Sequence, residues 1–72
     1  MSNDHIPTEE IKRDILDTQR EIDQMEKDIE AYDLLGDNLS TFRAVNLRIE
    51  IVKRKVFILQ LEGLIKERVS QP

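Results

Sequence analysis

From residue 8 onward, apolar side chains recur in alternating steps of four and three: Ile11, Ile15, Thr18, Ile22, Met25, Ile29 and Tyr32. This is the spacing of a helix that buries one narrow stripe, with isoleucine recurring at the same heptad position, and the residues between are almost wholly polar. Pro7 and Thr8 ahead of Glu9 and Glu10 form a start signal, with Thr8 the expected cap and two carboxylates at the positive end of the helix dipole. The segment "LLGDNLS" ends the pattern. Gly36 suits a left-handed C-cap, and Asp37, Asn38 and Ser40 favour turns and helix starts. The pattern predicts a flexible N-terminus over 1–7, a helix over about 8–35, a turn over 36–39, a second helix over about 40–69 and a frayed end over 70–72.

The second segment carries a stripe of the same rhythm: Phe42, Val45, Ile49, Val52, Val56 and Leu59, with Gly63 at the next heptad position. Zipping the two stripes antiparallel pairs Tyr32 with Phe42, Ile29 with Val45, Met25 with Ile49, Ile22 with Val52, Thr18 with Val56, Ile15 with Leu59 and Ile11 with Gly63. In this register Asp28 falls near Arg48 and Glu21 near Lys55, Asp14 faces Glu62, and Gly63 lets the helices approach closely at Ile11. The segments "LRIEIV" and "VFILQL" also have strand character, but "KRK" between them lacks the Gly, Asn or Asp of a tight hairpin turn. The fold class expected is therefore all-α: an antiparallel, coiled-coil-like two-helix hairpin.

A second set of apolar residues, Leu47, Ile51, Ile58, Leu61, Ile65 and Val69, falls roughly opposite the first stripe on the second helix. That helix holds fifteen large apolar residues between Leu39 and Val69, against nine on the first helix between Ile11 and Leu35. One single-striped helix cannot cover both sides of a double-striped one, so something outside the hairpin must cover the remainder. A two-fold homodimer is the expected solution. Crossing two second helices antiparallel about Ile58 sets Ile51 against Ile65, Leu47 against Val69, Arg54 beside Glu62 and Glu50 beside Lys66. This reading names Leu47, Ile51, Arg54, Ile58, Leu61, Glu62 and Ile65 as the interface for self-association or for a protein partner.

Composition narrows the chemistry. The chain has 72 residues, 36% of them charged, with no Cys, which suits one small helical domain and excludes a disulfide framework or a thiolate zinc site. The polar, acidic opening "MSNDHIPTEE" does not read as a secretory signal, and no apolar run reaches the roughly 18 residues of a membrane span, so a cytoplasmic location away from membranes is expected. Charge is asymmetric: residues 1–38 hold twelve acids and four bases, residues 39–72 three acids and seven bases. The acids Glu10, Asp14, Asp17, Glu21 and Asp28 could mimic phosphates or hold a divalent cation, but read more simply as a solvated face that attracts the second helix. Arg43, Arg48, Lys53, Arg54 and Lys55 could contact nucleic acid or another anionic ligand, yet they point to several sides of the helix and no aromatics alternate with them.

The turn "LLGDNLSTFRAV" lacks the apolar residue a helix-turn-helix needs after its glycine, and its second helix carries an apolar stripe where base contacts would lie. Catalytic material is sparse: one histidine, His5, ahead of the first helix, no Cys and no Gly-rich phosphate loop. No enzyme activity and no cofactor are expected. The expected function is that of a regulator, inhibitor or adaptor that binds another macromolecule. Small size and dense charge fit a phage or mobile-element product. The alternative is a nucleic-acid or anionic-ligand binder whose basic residues are gathered by an oligomer.

Overall fold

A computed structural model of the chain describes residues 6–70 as two α-helices, α1 (Thr8–Leu35) and α2 (Asn38–Ser70), packed side by side as an antiparallel hairpin. The expected flexible residues 1–5, His5 among them, and the expected frayed residues 71–72 lie outside the described residues. Pro7, rather than Thr8, occupies the N-cap of α1, with no side-chain cap. Its carbonyl accepts from the amides of Glu10 (3.0 Å) and Ile11 (3.2 Å), and Glu9 and Glu10 lie in the first turn, where the helix dipole favours negative charge.

α1 ends where the sequence indicates. Gly36 takes the left-handed conformation (φ 69°), and its amide donates to the Tyr32 carbonyl at 3.2 Å, the single-bond αL cap that glycine adopts without a Cβ penalty. Asp37 then caps α2: its carboxylate Oδ2 accepts from the Ser40 amide (3.3 Å), and its carbonyl accepts from the Thr41 amide (2.9 Å). Favourable interaction with the Ser40 side chain foremost, joined by backbone amides, outweighs desolvation and holds this carboxyl below its ordinary value of 3.8. Only Gly36 and Asp37 separate the helices, so α2 starts a residue or two earlier than the pattern suggests.

The two-residue link decides which face of α2 meets α1, and it is not the face with the unbroken heptad rhythm. The core consists of Ile22 and Ile29 from α1 with Ala44, Ile51 and Ile58 from α2, and Ile15, Met25, Tyr32 and Leu47 pack against it half-buried. Phe42, Val45, Ile49, Val52, Val56 and Leu59 all face solvent instead. The layer pairing drawn from the sequence is thus corrected: α1 supplies the expected stripe, whereas α2 is rotated by nearly half a turn. Small residues give the reason. Ser40 and Ala44 are buried just beyond the turn, where the helices are held close by the short link, and a phenylalanine at that level would wedge them apart.

Polar contacts across the helices follow the observed rotation. Arg54 bonds Glu21 (3.2 Å), the residue expected to face Lys55, and Arg48 bonds Asp33 (2.9 Å) rather than Asp28. Asp28 accepts instead from the Gln24 amide at 3.1 Å. At the open end, the Arg68 guanidinium donates to the Ile6 carbonyl and to the Thr8 hydroxyl (3.2 Å), tying the start of α1 to the end of α2. Gly63 has open space where a Cβ would stand, so the expected close approach to Ile11 is absent, although Ile11 itself is buried.

The molecule measures 55 × 20 × 16 Å, which in cross-section is one helix beside another. Among the described residues no large side chain is completely buried, because a single pair of helices leaves every core residue one layer from water.

Candidate protein-interaction face

The outward stripe of α2 is the candidate site. Phe42 (64% exposed), Val45, Ile49, Val52 (60%), Val56 and Leu59 (66%) repeat in steps of three and four along one face of a regular helix. At 100° per residue, this face lies about 160° from the one that meets α1. From Phe42 to Leu59 it forms an apolar strip about 26 Å long. Phe57 and Leu64, also exposed, widen it on one side. Scattered exposed leucines are normal on a small protein, whereas a contiguous apolar strip marks a contact surface.

The residues expected to form the interface lie elsewhere. Ile51 and Ile58 are 7% and 6% exposed, in the core against α1, and Leu47 packs on the same cluster. Leu61 and Ile65 are half-buried on the same inward side, and Val69 is exposed near the end of α2. Glu62 is exposed and lines the open grooves beside Leu59. A dimer crossing at Ile58 would have to displace α1, so that crossing is corrected as well. Both stripes were visible in the sequence; the signal that assigns them is the pair Ser40 and Ala44, the only small residues that recur on one face next to the turn.

Charged residues border the outward stripe unevenly. Thr41, Arg48, Lys55 and Glu62 flank it on one side, and Asn46, Lys53 and Gln60 on the other. Of the five bases considered for anionic ligands, Arg48 is paired with Asp33, Lys53 with Glu50 (3.7 Å), and Arg54 with both Glu50 (3.0 Å) and Glu21. Hydrogen bonds that the Arg54 guanidinium donates to Glu50 first and Glu21 second raise its pKa above the ordinary value. Lys55 shares a groove with Asp23, Glu26 and Glu62, and Arg43 one with Asp28 and Glu50. The structure therefore spreads these cations among carboxylates rather than gathering them.

The clefts between the helices are open grooves rather than enclosed cavities. One of them, about 440 Å³, runs between Gln19, Ile22, Asp23 and Glu26 of α1 and Lys55, Ile58, Leu59 and Glu62 of α2. Among the described residues, no three His, Cys, Asp or Glu side chains cluster closely enough to hold a metal ion, and no helix is long and apolar enough to cross a membrane. Comparison with protein-family models, with curated proteins and with solved structures gives no match for this chain.

Proposed function

We propose that this protein is a non-enzymatic helical interaction module, a regulator or adaptor that works by binding another macromolecule through the outward face of α2. One observation carries the reading: a six-residue heptad stripe, Phe42 to Leu59, has no cover within the hairpin. Burying a large apolar side chain is worth roughly 1.5–3 kcal/mol, so this strip represents binding free energy comparable to the net stability of a small domain. Its straight helical geometry fits a second helix laid along it, the contact in which side chains three and four apart act as anchors.

The double substitution Ile49→Ser with Val56→Ser tests this reading, since both side chains point away from α1. Wild-type protein should occur in a complex larger than its 8.5 kDa chain, whether with itself or with a molecule recovered from its native host, and the variant should lose that complex. If sedimentation and co-purification give the same result for both proteins, the stripe is not a working surface and the reading fails.

A further inference from the structure

Resting on that reading of the stripe as a contact surface, we infer that its occupant is the same stripe of a second copy, laid antiparallel about a two-fold axis between Glu50 and Ile51. The first reason is one of numbers of faces. α1 has one apolar stripe and α2 has two, and the α1 stripe is already spent on the inward face of its own α2. In any closed assembly of identical chains, α1 stripes can cover only half of the α2 stripes, whichever chain they come from. The remaining α2 faces must then meet each other.

The second reason is that the stripe is complementary to its own reverse. About that axis Phe42 meets the partner's Leu59, Val45 meets the partner's Val56, and Ile49 meets the partner's Val52. All six residues of the heptad stripe find an apolar counterpart, and the symmetric contact repeats each pair, with Phe57 and Leu64 outside the pairing on one flank. The bulkiest side chains close the ends and β-branched ones fill the middle, as a knobs-into-holes seam accommodates. The pairing ends short of Gly63 and Lys66, the next two positions of the same rhythm, where a glycine and a charge would contribute no apolar contact.

Charges choose the direction. In the antiparallel arrangement Arg48 stands beside the partner's Lys55, while Lys53 meets the partner's uncharged Asn46 and the uncharged Thr41 meets the partner's Glu62. Arg48 is held by Asp33 at 2.9 Å and Lys55 lies along a groove with Asp23 and Glu26, so each cation brings carboxylates of its own α1. A parallel seam sets Arg48 against the partner's Lys53 and also Glu62 against the partner's Glu67, two kinds of like-charge contact, each occurring twice. Like charges across a helical seam work against association and select against that orientation.

Two charge-matched variants test the assignment, read by sedimentation equilibrium across the micromolar range with circular dichroism as the check on folding. Wild type should sediment as a dimer. Lys55→Glu and Lys53→Glu carry the same net charge, but only the former turns both Arg48 contacts of the antiparallel dimer from repulsive to attractive. Lys55→Glu should therefore dimerise several-fold more tightly than Lys53→Glu; the reverse order would reveal a parallel seam and overturn the inference. Val52→Asp should dissociate the dimer, with or without loss of helicity. Wild-type protein that stays monomeric at high micromolar concentration overturns the inference too. Should the Ile49→Ser, Val56→Ser variant then still lose a host complex, the stripe serves a foreign helix and the functional reading survives; if it loses none, both fall together.

Discussion

Gly63 stands within α2, about two turns before its end, with open space where a side chain would begin, and its backbone is helical. No close approach requires it, so its effect is the entropic one of a glycine in a helix interior. Gly63→Ala should therefore stabilise the protein by about 0.5–1 kcal/mol, seen as a higher thermal midpoint at equal protein concentration; a lower midpoint would mean that another surface packs there. Gly36 is the opposite case, since its positive φ is disfavoured for any residue with a Cβ. The sequence distinguished these two glycines only in part. Gly36 is legible from "LLGDNL", because turn chemistry is local. The position of Gly63 relative to Ile11 depends on the rotation of α2, which local chemistry does not fix.

At the level of the elements, both helices and the turn between them could be read from spacing and capping residues, and both apolar stripes of α2 could be counted. What the pattern could not decide was which stripe turns inward. Six large apolar residues lie on each, so hydrophobic burial alone leaves the choice open, and the unbroken heptad favours the wrong one. A two-residue link beside Ser40 and Ala44 reverses the preference by excluding Phe42 from the tight end. Neighbouring residues expose the difference. Ile51→Asn puts a polar amide into the core and should cost several kcal/mol, on the order of 2–5, with loss of the cooperative melt even at high protein concentration. Val52→Asn lies outside the hairpin and should act through association, so raising the protein concentration should restore much of its stability. Equal, concentration-independent losses for both would place the two stripes the other way round.

For the whole molecule, the separation of acidic and basic halves finds its use in the hairpin, where α1 carboxylates meet α2 cations along the seam. Arg54 bridges Glu21 and Glu50, Arg48 holds Asp33, Asp23 and Glu26 line a groove with Lys55, and Asp28 lines one with Arg43. Exposed pairs of this kind contribute little stability, about 0–1 kcal/mol each, but they set register and consume the positive field a polyanion would need. The proposed antiparallel dimer would bring Arg48 and the partner's Lys55 together on one side, yet Asp33, Asp23 and Glu26 would accompany them and the chain carries a net charge of −4. Titration of labelled DNA and RNA into the protein at roughly 50 and 200 mM salt should accordingly show no binding of the steeply salt-dependent kind that counterion release produces. A loss of affinity of about a thousandfold between those two conditions, the mark of a surface neutralising several phosphates, would instead establish the basic residues of α2 as a nucleic-acid face, and charge-neutral variants of Arg48 and Lys55 would then have to reduce the salt slope.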